Sequence, residues 1–262
     1  MTNLEEEPTS FKIGRAICYS GYRSGQGPHI SDFPSYEEVL EDLKLLSGTW
    51  DYIRLYDPGV HARTVLKVIQ ENQLPIKVML GVCLNAEISN HNCPWGGVHS
   101  DEVLLRNKEV NLVEIQQLIQ LANGYKDIVV ALAAGNEATV EWTDHMVEVA
   151  SVIEYVKMIQ EQTIQPVTFC ENYLPWCEKL EPLAEVVDFI SMHTYPLWEY
   201  RRPEEALDYT IDNYNAVHSK YPHKKIVITE AGWASNSNVR GMPKENASEE
   251  NQAYYNNRLM YM

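Results

Sequence analysis

Seven short β-rich runs alternate with helical patterns along a chain of 262 residues, and together they predict an α/β fold: a (β/α)8 TIM barrel whose eighth βα unit is missing. Three observations carry this reading. Each run is near-continuously apolar at its centre, as strands of a parallel sheet buried on both faces must be. The helical patterns fall between the runs, which is the alternation of βα units. No Gly-x-Gly-x-x-Gly turn follows the first run, as a doubly wound dinucleotide-binding sheet would want. An eight-fold barrel takes about 250 residues, close to the length at hand.

The elements follow in order. Residues 1–10, MTNLEEEPTS, read as a solvated polar tail, and 11–262 as one barrel domain, incomplete at its C-terminus. The strand runs are 11–19 (FKIGRAICY), 51–57 (DYIRLYD), 75–84 (PIKVMLGVCL), 127–134 (DIVVALAA), 166–170 (PVTFC), 186–193 (VVDFISMH) and 225–229 (KIVIT). The first helix opens with a capping box, Ser35 to Glu38, in which hydroxyl and carboxylate satisfy each other's free amides. Val39, Leu40, Leu43 and Leu46 then form its apolar face. Helical patterns recur near 60–72, 107–122, 142–162, 203–219 and 248–261, and a shorter one at 174–185 is interrupted by Pro175 and Pro182. Asn246–Ala247–Ser248 is a glycosylation sequon in form, but its short polar side chains read as the cap of the last helix.

Composition narrows the function. With 45% hydrophobic residues the chain can bury a large core, and with a net charge of −16 it repels phosphate backbones and anionic lipid. Nucleic acid and membrane surfaces are therefore excluded as partners, and a neutral or cationic ligand fits better. No apolar run reaches the roughly 20 residues that cross a bilayer. The amino terminus lacks a basic n-region and an apolar h-region, so localisation reads as cytoplasmic for the chain as it stands, or secreted or periplasmic if a signal has been removed. Five cysteines, Cys18, Cys83, Cys93, Cys170 and Cys177, are too few and odd in number for a disulfide framework and read as free, mostly buried thiols. His91 with Cys93, and Cys170 with Cys177, lack a second matched pair for zinc, so neither a metal nor a cofactor is expected.

In such barrels the site lies at the C-terminal ends of the strands. The fourth run ends in Gly135–Asn136–Glu137 and the seventh in Thr229–Glu230–Ala231–Gly232–Trp233. Two carboxyls facing each other across a barrel mouth are the minimum equipment for glycoside hydrolysis. One protonates the leaving oxygen while the other attacks the anomeric carbon or activates water.

GNEATVEW at 135–142 and ITEAGWAS at 228–235 resemble glycoside hydrolase family 17, the β-1,3-glucanases and their transglucosylating relatives. CYSGYRSGQ at 18–26, YIRLYDP at 52–58, HTYPLWEY at 193–200 and NASEENQAYY at 246–255 support the resemblance, which runs from about residue 11 to 262. It implies a retaining enzyme with Glu137 as acid/base and Glu230 as nucleophile, and a carboxyl separation of about 5–5.5 Å. Asn136 would then hydrogen-bond the sugar 2-hydroxyl. The implied substrate is a laminarin-like polysaccharide or its oligosaccharides.

Other strand ends offer support. Tyr19, Arg54 and Tyr56 lie within or after strands one and two, and Arg54 could hold Glu230 ionised through a charged hydrogen bond. His193 and Tyr195 follow strand six, and Tyr195 could hydrogen-bond the nucleophile. Sugars present flat C–H faces to aromatic rings. Trp233, three residues after Glu230, is the leading platform, and Trp198, Tyr173, Trp176 and Trp95 are further loop candidates.

Family members continue past the last helix with an eighth strand and helix, which do not follow here. The chain accordingly reads as a fragment or incomplete gene model, or else as a shortened natural domain, in which strands one and seven flank a gap. Three readings stay open: a β-1,3-glucan hydrolase, a transglucosylase, and a non-catalytic glucan-binding remnant.

Overall fold

The computed structural model describes residues 13–237 and 245–261; the polar tail at 1–10 lies outside them. Seven parallel strands form a nearly closed barrel in chain order: β1 (Ala16–Cys18), β2 (Tyr52–Leu55), β3 (Lys77–Gly81), β4 (Val129–Asn136), β5 (Val167–Asn172), β6 (Ile190–Thr194) and β7 (Ile226–Ala231). Each lies in or overlaps a run expected to hold it. The helices are α1 (Tyr36–Leu46), α2 (Val60–Asn72), α3 (Asp101–Gly124), α4 (Val149–Gln160), α5 (Tyr173–Glu178), α6 (Glu181–Ala184), α7 (Ala206–Lys220) and α8 (Glu249–Leu259). Among the described residues β1 and β7 share no ladder, as expected of strands flanking a gap, although Cys18 Sγ reaches the Thr229 carbonyl at 3.4 Å.

Burial follows from this arrangement. All residues of β5 and β6 are buried, β7 is half-buried throughout, and β1 is largely exposed. The core lies between barrel and helices, where Val39 and Leu43 of α1, Val65 and Ile69 of α2, Ile115 and Leu118 of α3, and Val152 and Val156 of α4 pack on the strands. No described helix is long and apolar enough to cross a membrane.

Local chemistry sets the boundaries. Ser35 Oγ accepts from the Glu38 amide and Glu38 Oε2 from the Ser35 amide, so the capping box forms. Ser248 Oγ accepts from the Asn251 amide and starts α8, and Pro175 and Pro182 accompany the division of 173–184 into two short helices. Two starts differ from expectation. Ser100 caps α3 seven residues before the apolar pattern begins, and Asp101 and Glu102 complement its N-terminal dipole. Residues 142–148 are loop, because the Asn90 side chain donates to the Glu141 and Thr143 carbonyls and removes them from helical pairing.

The cysteines also differ from the expected burial. All five are free, but Cys170 alone is buried; Cys18, on the edge strand, and Cys83, just past β3, are exposed.

Gly135 decides how β4 ends. Its φ is +153°, and a Cβ there would lie 2.6 Å from Cε2 of the fully buried Phe169. Gly135→Ala should lower the melting temperature by about 4–10 °C, whereas Gly124→Ala, where a Cβ meets open space at the end of α3, should hold or raise it. Thermal unfolding of the two variants checks this contrast.

Candidate active site

Strands β2, β4, β6 and β7 bring Arg54, Asn136, Glu137, His193, Tyr195 and Glu230 together at one end of the barrel. Arg54, 5% exposed, is the centre. Its Nη1 donates to Glu230 Oε1 at 2.6 Å and its Nη2 to Asn136 Oδ1 at 2.5 Å, and Nη1 lies 3.1 Å from His193 Nε2. The guanidinium also stacks over the Tyr56 ring, 4.5 Å from its centroid.

The two carboxyls are held differently. The Glu230 side chain is 10% exposed, and Tyr195 donates to its Oε2 at 2.7 Å. Burial pushes its pKa up, but His193, Arg54 and the phenols of Tyr195 and Tyr56 outweigh that and bring it below the usual carboxylate range. Burial and the adjacent Glu230 charge push the Tyr195 phenol up, so it stays a donor. Glu137 is more open, at 29% of its side chain, and its Oε1 lies 2.8 Å from His193 Nδ1.

His193 is fully buried between them. Burial lowers its pKa, while Cys170, Glu137 and Glu230 draw it up, to about 9 on balance. The guanidinium at Nε2 favours the neutral ring, because two donors meeting there would repel. In either state Nδ1 carries the proton that faces Glu137.

The backbone at Glu137 is itself unusual. Its φ is +46°, a left-handed conformation that costs a non-glycine residue about 1–2 kcal/mol. Hydrogen bonds on several sides hold it: the Glu137 amide donates to the Cys170 carbonyl at 2.8 Å, the Val147 amide to the Ala138 carbonyl at 2.8 Å, and His145 Nε2 to the Asn136 carbonyl at 3.1 Å.

Four sequence candidates lie elsewhere or serve otherwise. Trp233 is 3% exposed; it packs on Tyr255 of α8 at 5.7 Å and donates to the Asn246 carbonyl, so it is a packing residue and not a platform. Trp176 is wholly buried and donates to the Ser191 carbonyl. Tyr19 is buried with its hydroxyl on Asp42 of α1, away from the carboxyl pair. Tyr173 is half-buried and pairs its hydroxyl with that of Tyr209, which Arg201 covers. Trp198 and Trp95 remain exposed aromatics. The sequence reading passed over Glu171 at the end of β5 and took the adjacent Cys170 only as a free thiol. Glu171 gives the same signal as the other two glutamates, a carboxylate ending an apolar run.

Among the described residues Glu137, His193 and Glu230 form the one cluster that could ligate a metal, their nearest ligand atoms within 4.8 Å of one another. Arg54 already places a positive charge 2.6 Å from Glu230, which opposes a cation there.

A barrel of parallel strands with two acidic side chains facing one another at its mouth is the arrangement of a glycoside hydrolase. The chain belongs to the family of the BtgE/BtgC glycoside hydrolase domain, whose model matches residues 16–261. This is a glycoside hydrolase family other than the family 17 that the motifs resemble. No curated protein matches the sequence. Among solved structures, the chain is similar to an endo-laminarinase from Formosa Hel1_33_131, with TM-score 0.77, 24% identity, and coverage of 94% of this chain and 74% of that one. It is also similar to a family 17 β-1,3-glucanosyltransferase from Rhizomucor miehei, with TM-score 0.68, 21% identity, and coverage of 92% and 78%. A β-D-glucuronidase from Dictyoglomus thermophilum aligns over 95% of this chain and 41% of its own, with TM-score 0.64 and 17% identity. At these identities the likeness is one of fold.

Arg54→Met should destabilise the protein by about 3–5 kcal/mol, because Glu230 is left as an unpaired buried charge. Adding Glu230→Gln should recover part of that loss. Urea unfolding of the two single variants and the double variant measures the coupling, and a double variant no more stable than Arg54→Met would refute it.

Proposed function

We propose that this glycoside hydrolase cleaves β-1,3-glucan with retention of configuration, through a covalent glycosyl-enzyme on Glu230 and with Glu137 as acid and base. The observation that carries the reading is the unequal treatment of two carboxyls whose nearest oxygens lie within 4.8 Å. That spacing is closer to a retaining pair, at about 5–5.5 Å, than to an inverting pair, at about 6.5–9.5 Å, and supports the retaining reading. Glu230, paired with Arg54 and Tyr195, is kept ionised and suits the nucleophile. Glu137, more open, suits proton exchange with leaving group and water.

The steps follow. A Glu230 oxygen attacks the anomeric carbon, the glycosidic C–O bond breaks, and the departing oxygen takes its proton from Glu137. His193 Nδ1–H occupies Oε1 of Glu137, so Oε2 carries the transferable proton. Glu137, now a carboxylate, deprotonates a water that attacks the anomeric carbon, and the ester to Glu230 breaks. A sugar hydroxyl in place of that water gives transglucosylation. Asn136 has Oδ1 engaged by Arg54 and offers its amide donor to the sugar 2-hydroxyl.

β-1,3-Glucan as substrate is supported by the endo-laminarinase and the β-1,3-glucanosyltransferase among the structural neighbours, one form of the latter bound to laminaritriose. A neutral polysaccharide also suits a chain of net charge −16. An intact carboxyl pair, each member held by a hydrogen bond from a buried side chain, argues against a remnant that only binds glucan.

The test is release of reducing sugar from laminarin, with product sizing and anomeric assignment by NMR. Retained β-configuration is expected, and longer products would mark transfer. Glu230→Ala should abolish turnover, and azide should restore it with an inverted product; retained configuration on rescue would overturn the nucleophile. Tyr195→Phe removes a donor that lowers the Glu230 pKa, so the acidic limb of kcat/KM should move to higher pH. At neutral pH the variant should lose about tenfold or more, the worth of one hydrogen bond to a charged group.

A further inference from the structure

We infer that Glu171, a third carboxyl that neither motif includes, is a positioning residue: it clamps the turn that presents Glu137. The inference rests on the reading of Glu137 as acid/base.

Glu171 stands at the end of β5, next to β4, and is fully buried. Its Oε2 accepts from the Thr139 amide at 2.9 Å and from the Thr139 hydroxyl at 2.7 Å, and its Oε1 accepts from the Asn172 amide at 2.7 Å. Thr139, 2% exposed, follows the left-handed Glu137 by two residues, and its carbonyl accepts from Lys179 Nζ at 2.5 Å. The turn 137–139 is thus gripped at its amide, hydroxyl and carbonyl by side chains from β5 and from just past α5. A left-handed non-glycine residue persists only where its surroundings over-determine it. Here they do so two residues from the proton donor.

The chemistry explains why a carboxyl stands there. Both oxygens face backbone N–H groups, so both must accept. Glutamine would turn an amide NH2 toward one of them and set two donors against each other. Burial pushes the Glu171 pKa up to about 7; the Thr139 bonds oppose this and the Glu137 charge adds to it. An expensive buried carboxyl beside a catalytic one, with each oxygen used on the turn that carries the other, is the mark of a group kept for geometry.

A positioning role differs from a packing role in what it disturbs. If Glu171 sets the place of the proton donor, losing it harms reactions that need the proton and spares those that do not. Glu171→Gln, Thr139→Val, Thr139→Ser and Glu137→Gln are compared with wild type on laminarioligosaccharides, whose leaving alcohol is basic, and on a dinitrophenyl β-glucoside, whose leaving group needs no proton. The quantity read is kcat/KM, which reports the glycosylation step.

Glu171→Gln should lose about 10–100-fold on the oligosaccharide and under about threefold on the aryl glucoside. Thr139→Val, which removes one hydrogen bond and leaves the carboxyl, should show the same bias more weakly, and Thr139→Ser should recover most of that loss. Equal losses on both substrates in Glu171→Gln and Thr139→Val, with the bias present in Glu137→Gln, would overturn the inference alone. Equal losses in Glu137→Gln would overturn the acid assignment, and the inference with it.

Discussion

The Arg54 guanidinium is the contact on which the site depends. It leaves β2 and reaches residues on β4, β6 and β7, so one side chain spans most of the barrel mouth. Buried charge is tolerated only when paired and hydrogen-bonded, and Arg54 has Glu230 for charge, Asn136 for its second amino group, and Tyr56 for its face. Lysine could not replace it, since a single ammonium offers no planar fork to share among partners on different strands. Without the guanidinium, Glu137, Glu171 and Glu230 would gather negative charge in a half-dry pocket with little to oppose it.

A second constraint is geometrical. A regular strand would carry Glu137 on along the ladder, whereas β4 slips in register against β5 between Ala133 and Asn136, and φ turns positive at Gly135 and again at Glu137. Gly135 makes the turn without steric cost beside Phe169. Glu137 pays for the same freedom, and the bonds from Cys170, His145 and Thr139 compensate. Arg54 therefore holds Glu230 and Asn136 across the barrel, and β5 holds the Glu137 turn along the chain.

Much of this was legible in the sequence. Apolar runs located all seven strands, because strands buried on both faces have no polar periodicity to confuse them. Short-range chemistry was equally readable: the Ser35–Glu38 box, the Ser248 cap, and the prolines near the starts of α5 and α6 act within four residues. The misses have tertiary causes. Asn90 holds residues 142–148 out of a helix from some fifty positions away. Trp233 follows Glu230 as a platform would, but Tyr255 covers it, and nothing local to Trp233 announces that contact. Tyr19 turns outward because Asp42 waits on α1. Glu171 carries a readable signal, yet only its distance to Thr139 separates a clamp from a loop carboxylate.

The position of Glu230 sharpens the dependence on Arg54. Among the described residues β7 shares a ladder with β6 alone and is half-buried along its length, so its backbone has less support than that of β4 or β5. A carboxylate on such a strand cannot rely on the ladder for placement to the fraction of an ångström that the proposed attack requires. It relies instead on side chains from better-held strands: Arg54 of β2 on one oxygen and Tyr195, just past β6, on the other. These two contacts also keep it ionised, so placement and charge come from the same bonds. Loosening either would cost Glu230 both at once, and the site is therefore more sensitive to the residues around Glu230 than to the strand that bears it.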